Sequence, residues 1–261
     1  MADESGIAID PRQWSEIVFK TDIALNYAAF HWFCMKEHET DPFTRLDHLG
    51  RYGYEQCEMF DPIFAKSLIV GRDMEAKEFG YERTREILTP LFDRMYPKCR
   101  AYFGCEFAVV FFGLYGSGED NASLKWHCDA GPRTHLKLLV YLNESDGATE
   151  FLDKPSTELF KRVGYGFGPS TMRTNDLRTV AGMFDIPFNP VRLSPPPGSG
   201  VVFEPTNALH RGVYPKIGKR WILQVGLMPW FKRWDDDLNE VFPMVAQNHS
   251  AGFPPLKIQF E

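Results

Sequence analysis

The tetrapeptide Trp126-His127-Cys128-Asp129 sets an imidazole and a carboxylate two residues apart. In an extended chain, residues i and i+2 point to the same side, so His127 and Asp129 face one point while Cys128 faces away. Those groups are two thirds of the 2-His-1-carboxylate facial triad, which holds Fe(II) on one face and leaves the other positions open for chemistry. His-x-Asp alone is a common surface pair, and it gains meaning only with a third ligand from another strand. Two histidines qualify, His135 and His210. The others (His31, His38, His48 and His249) fall in the helical half or the tail.

His210 stands in Ala208-Leu209-His210-Arg211-Gly212-Val213-Tyr214-Pro215, shortly after an apolar run at 200–204. Ten residues on, Arg220 opens the last apolar stretch, Trp221-Ile222-Leu223-Gln224-Val225-Gly226-Leu227. A guanidinium is permanently charged and presents a planar fork, which makes it a natural clamp for the distal carboxylate of an oxo-diacid. Taken singly, Arg220 is an ordinary strand-start cation. The conjunction is what counts: His-x-Asp, a late histidine and an arginine beyond it, each at a strand boundary and in that order.

These residues need strands to hold them. From Glu106 onward the chain reads as short β-type runs with turn signals between: 107–115, 123–128, 135–142, 149–152, 200–204, 209–214 and 220–229. That spacing predicts an all-β sandwich or barrel. The chain before it is helical in character. Apolar residues at helical spacing follow Pro11 (Ile17, Phe19, Ile23, Ala24, Tyr27). A second helix is predicted from Tyr81 to Phe103, with Ile87, Leu88, Leu91, Phe92 and Met95 on its apolar face and Pro90 as a kink site. Residues 38–72, rich in Asp, Gly and Pro, read as irregular. So do residues 153–190, whose Gly164, Gly166 and Gly168 suggest a hinged lid with Phe167, Met172 and Phe184 as its apolar cover.

Composition bounds the rest. The chain has 261 residues, 44% of them hydrophobic and 25% charged, which suits one soluble globular domain with a large core. Its 15% aromatic content fits a packed β-rich interior. A net charge of −6 and a pI near 5.7 give no sign of a nucleic-acid partner. No apolar run reaches the ~18 residues of a membrane span, and Met1-Ala-Asp-Glu-Ser lacks the pattern of a secretory leader. The five cysteines, at 34, 57, 99, 105 and 128, make no CxxC and are odd in number, as in a reducing cytoplasm. A cytoplasmic protein with a small-molecule partner is the expectation.

From about Phe107 to Pro229 the sequence resembles the Fe(II)/2-oxoglutarate-dependent oxygenase superfamily, most nearly its prolyl-hydroxylase-type branch. Tyr115 precedes a glycine-containing turn (Gly116, Gly118) and then His127-Cys128-Asp129. Val140-Tyr141-Leu142-Asn143 matches the end of the family's next strand, and Gly147-Ala148-Thr149-Glu150-Phe151 the one after. Pro197-Gly198-Ser199-Gly200-Val201-Val202-Phe203 matches the entry to the second half, and His210 and Arg220 the distal histidine and arginine. The resemblance implies a double-stranded β-helix (jelly-roll) flanked by α-helices. The 261 residues would form one domain: a helical support at 1–104, the core at 105–230 with the inserted loop 153–190, and a tail at 231–261. It implies Fe(II) on His127, Asp129 and His210, with 2-oxoglutarate held by Arg220, Tyr141 and Tyr115. Dioxygen would be consumed and a C–H bond of a small molecule hydroxylated, with succinate and CO2 released. Desaturation or cyclisation starts from the same chemistry.

The sequence departs from that pattern in two places. The stretch between His127 and His210 is longer than in compact hydroxylases, and the N-terminal hundred residues match no motif. The carboxylate at 129 argues against halide-transferring relatives. Alternation puts His135, Lys137, Leu139 and Tyr141 on one strand face. If Tyr141 looks inward so does Lys137, and a buried ammonium needs an anionic partner. His135 is too close in sequence to Asp129 to be the third ligand without a sharp turn-back. Lys137, Gln224, Arg133 and Arg211 are the candidate substrate contacts. The rival readings are a cupin-like metalloprotein that does not use 2-oxoglutarate and a binding module without turnover.

Overall fold

The computed structural model describes residues 47–71, 79–116, 122–129, 135–166, 173–230, 232–236 and 238. The expected helix after Pro11, the residues Arg133, Phe167, Gly168 and Met172, and nearly all of the tail lie outside these. The elements in chain order are α1 (His48–Tyr52), β1 (Tyr54–Glu58), α2 (Pro62–Ser67), α3 (Tyr81–Phe103), β2 (Glu106–Gly116), β3 (Leu136–Tyr141) and β4 (Ala148–Phe151). Then come α4 (Lys154–Arg162), α5 (Arg178–Phe184), β5 (Val191–Leu193), β6 (Ser199–Phe203), β7 (His210–Val213) and β8 (Trp221–Trp230).

Every strand pairing is antiparallel. The larger sheet has the order β1-β6-β3-β8-β2 and the smaller β5-β4-β7. Consecutive strands therefore seldom pair, and the chain crosses repeatedly between sheets. A single bridge, His127 to His210, attaches the His-x-Asp segment beside β7. The expected strand at 123–128 is reduced to that bridge after a 3-10 turn at Ala122–Leu124.

Side-chain alternation gives the larger sheet two distinct faces. Leu136, Leu138 and Val140 of β3, Val202 of β6 and Leu223, Val225 and Leu227 of β8 point outward. They pack against Ile87, Leu88, Leu91, Phe92 and Met95 of α3. This helix has the predicted bounds: Pro90 lies within it without ending it, and Gly104, at φ 72°, closes it with an N–H donated to the Arg100 carbonyl. The inner face carries Leu139, Tyr141, Val201, Phe203 and Ile222, packed with Phe151 of β4.

Two expectations of irregular chain need correction. Within 38–72, β1 extends the larger sheet as its edge and α1 and α2 flank it. Within 153–190 stand α4 and α5, which bury Phe160, Leu177, Ala181 and Ile186 together with Trp126, Cys128, Leu152 and Leu209. That is a small core of its own behind the His-x-Asp segment. Gly164 and Gly166 do adopt positive φ, while Phe184 is exposed. Cys57, Cys99, Cys105 and Cys128 are free thiols. No helix among the described residues is long and apolar enough to cross a membrane.

Candidate metal centre

Register places the inward side chains in order along the cavity between the sheets. On β4 and β7, Phe151 stands opposite His210 and Thr149 opposite Gly212, two residues farther along. On β3 and β8, Lys137 pairs with Gly226, Leu139 with Gln224 and Tyr141 with Ile222. The result is a cavity of about 130 Å³ lined by residues that include His127, Asp129, Lys137, His210, Arg220 and Gln224.

At one end the side chains of His127, Asp129 and His210 each bring a ligand atom within 4.8 Å of the others. Asp129 Oδ1 is 3.2 Å from His127 Nε2 and 3.8 Å from His210 Nε2. Ligand atoms about 2.1 Å from one ion and at right angles to each other would be about 3 Å apart; the His127–Asp129 spacing of 3.2 Å matches this and the His210–Asp129 spacing of 3.8 Å is wider. The rings are held for this. His127 Nδ1 is 2.7 Å from the Lys125 carbonyl and His210 Nδ1 is 2.9 Å from the Ala208 carbonyl. A carbonyl only accepts, so each Nδ1 carries the proton and each Nε2 offers its lone pair to the centre. Reciprocal backbone bonds between His127 and His210, 3.0 and 2.9 Å, fix the His-x-Asp segment against β7.

Electrostatics keeps the set in its ligand form. Burial lowers the His210 pKa to about 3, and the neighbouring His127 lowers it further than Asp129 restores it, so the ring is neutral. Burial alone would raise Asp129. The Lys137 ammonium, with smaller contributions from the neighbouring His127 and His210, outweighs it and holds the carboxyl well below the usual carboxylate range. Two imidazoles and a carboxylate form an N2O donor set suited to a divalent first-row metal. Among the described residues this is the one such group.

At the other end Arg220 is buried, its guanidinium 5.8 Å from the centre of the Tyr141 ring. Its Nη1 donates to the Ala148 carbonyl and, at 3.3 Å, to Thr149 Oγ1. The Tyr141 hydroxyl is 2.7 Å from the same Thr149 Oγ1, and burial raises its pKa. The slot is cut by glycine: a Cβ on Gly212 would lie 3.1 Å from Arg220 Nη2, and one on Gly147 3.1 Å from Arg220 Cδ.

The remaining predicted residues separate. Tyr115, opposite Ile222, is half-buried and packs beside the inner-face cluster. Lys137 has the anionic partner it needs: its Nζ donates to Asp129 Oδ2. Gln224 lines the cavity. Arg211 does not. It points outward between two inward residues, donating to Glu150 through Nε and Nη2 at 2.8 and 2.7 Å, with its guanidinium 5.1 Å from the Trp126 ring. The reason is the strand period: if His210 faces inward, its neighbour cannot. His135 is buried and does not belong to the triad. Neither of its ring nitrogens has a hydrogen-bond partner among the described residues, and burial lowers its pKa to about 4. Ser123, Thr149 and Phe203 also line the cavity without having been singled out from sequence. Thr149 was open to the alternation argument, being two residues before the inward Phe151.

Fold and site together describe a two-sheet antiparallel β protein with a two-histidine, one-carboxylate group in the cavity between its sheets. No protein-family model matches the sequence, and neither does any curated protein. Solved structures show a likeness. HygX from Streptomyces hygroscopicus, with nickel and 2-oxoglutarate bound, is 15% identical over 71% of this chain and 86% of that chain, TM-score 0.48. EctD from S. alaskensis, with 2-oxoglutarate and 5-hydroxyectoine, is 16% identical over 69% and 73%, TM-score 0.47. SnoK, a non-heme alpha ketoglutarate dependent carbocyclase from nogalamycin biosynthesis, is 11% identical over 84% and 96%, TM-score 0.47.

Proposed function

We propose that the chain is a non-haem Fe(II)/2-oxoglutarate-dependent oxygenase on a double-stranded β-helix, acting on a small molecule. The observation that carries this reading is the convergence of His127 Nε2 and His210 Nε2 on Asp129 Oδ1 in a cavity that also contains the buried Arg220. The crossing of the chain between its two antiparallel sheets is what such a β-helix requires.

His127, Asp129 and His210 would hold the metal, each imidazole oriented by its backbone carbonyl. Arg220 would bind the far carboxylate of 2-oxoglutarate, with Thr149 and Tyr141 fixing the guanidinium plane. With both bound, the metal and cosubstrate supply the oxidising chemistry: dioxygen and 2-oxoglutarate become succinate and CO2 as a C–H bond of the substrate is hydroxylated. Leu139, Phe203 and Ile222 keep that part of the cavity apolar and limit water. Gln224, in mid-cavity, is positioned to bond the substrate. Desaturation or cyclisation would appear as a different product from the same residues.

The test is oxygen uptake with Fe(II) and 2-oxoglutarate, first alone and then against a panel of amino acids and biosynthetic intermediates. One succinate per dioxygen, stimulated by a substrate, supports the proposal. Metal binding without 2-oxoglutarate binding would favour the cupin-like alternative.

A further inference from the structure

Among the described lining residues the cavity has one carboxylate, Asp129, and two cations, Lys137 and Arg220. Asp129 divides its oxygens. Oδ1 faces the two histidine Nε2 atoms at 3.2 and 3.8 Å, while Oδ2 accepts from Lys137 Nζ. Lys137 reaches the carboxylate from the inner face of β3, with only 15% of its side chain exposed. Its Nζ lies 5.7 Å from the centre of the Phe111 ring and 6.0 Å from that of Phe203. Opposite it on β8 stands Gly226, where a Cβ would come 2.9 Å from Phe111 Cβ and 3.2 Å from His135 Nε2. The glycine thus makes room for Phe111, one of the two rings beside the ammonium, and for His135. An N2O metal set does not itself require an ammonium.

We infer that Lys137 is a positioning residue, the built-in counter-ion of the metal-free site, which neutralises Asp129 and decides which of its oxygens faces the histidines. This rests on the metal reading above. Its consequence is a competition. An ammonium and a divalent cation are both drawn to Asp129, and they repel each other across a short, poorly solvated distance. Lys137 therefore stabilises the metal-free protein and weakens metal binding. Removing its charge should act in opposite directions on the two states: the metal-free protein retains a buried carboxylate without its partner, while the loaded protein loses a repulsion. A lysine that served only packing would shift both states alike.

The experiment compares wild type, Lys137→Met and Lys137→Arg as full chains. Thermal midpoints are measured metal-free and with saturating Mn(II), and Mn(II) affinity by calorimetry. For Lys137→Met the expectation is a lower metal-free midpoint, a larger Mn(II)-induced rise, and Mn(II) binding at least about tenfold tighter. Lys137→Arg, which keeps the charge, should stay near wild type. Should Lys137→Met fail to fold without metal, Lys137→Gln keeps a donor for Oδ2 without the charge and should show the same tightening. Mn(II) binding equal to or weaker than wild type in the neutral variants overturns the inference and leaves the metal reading standing. A wild-type chain that binds no Mn(II) overturns both.

Discussion

At one end of the cavity, two side chains of the His-x-Asp segment and one from β7 converge on a common centre, and the backbone fixes each imidazole by its far nitrogen. At the other end, two residues along β4 and β7, a single guanidinium is set among a carbonyl, a hydroxyl and an aromatic ring, with glycines where side chains would crowd it. The first arrangement specifies a point, as a metal ion demands. The second specifies a plane and a charge, as a carboxylate demands. One cavity can hold two different environments at its ends because the strand period repeats every two residues. Moving from His210 to Gly212, or from Phe151 to Thr149, changes the chemistry without changing the face.

The sharpest way to break this division is Arg220→Ala. The concentration of 2-oxoglutarate needed for turnover should rise by the equivalent of about 2–5 kcal/mol, with metal affinity nearly unchanged. Loss of metal binding in that variant would mean the two ends are not separate.

A second test uses pH on the metal-free protein. His210 and His135 have folded-state pKa values of about 3 and about 4, below the ordinary value of 6.5. The unfolded chain therefore takes up their protons first, and the stability these neutral rings contribute is full above pH 6.5 and lost as pH falls from there toward 4. Each should add about 1.4 kcal/mol per pH unit to the slope of unfolding free energy in that window. His135→Gln should remove one share, measured by urea unfolding at several pH values. An unchanged slope would mean that His135 is not a buried neutral ring.

A smaller effect is expected at Thr149, whose hydroxyl joins Tyr141 to Arg220. Thr149→Val should weaken 2-oxoglutarate binding by about 1 kcal/mol and leave metal affinity alone. Equal weakening of both would place Thr149 in a shared framework rather than at the guanidinium end.

Much of the fold and site is legible in the sequence. The face of β3 that carries Lys137, Leu139 and Tyr141 follows from alternation, and α3 from its apolar period and the glycine that ends it. The demand that Lys137 find an anion follows from the cost of burying an ammonium, but which anion does not, because Asp129 approaches from another segment. β1 escapes because Tyr54-Glu55-Gln56-Cys57-Glu58 is a polar edge, and β5 because three residues show no period. α4 is more accessible: Asp153 caps it by accepting from the Ser156 N–H at 2.8 Å, and a proline stands at its start. The glycines that follow mask that signal. Proximity to His210 alone suggests Arg211 as a substrate contact, whereas strand alternation already assigns it to the outer face with Glu150.

The proposed oxygenase activity requires His127, Asp129 and His210 to make one metal site together. The most direct measurement is the stoichiometry and affinity of Mn(II) binding to the metal-free chain, compared with His127→Ala, Asp129→Ala, His210→Ala and His135→Ala under identical conditions. The prediction is one ion per wild-type chain, binding lost or weakened by several orders of magnitude in each of the three triad variants, and binding retained in His135→Ala. Wild-type affinity in His210→Ala, with loss in His135→Ala, would contradict it.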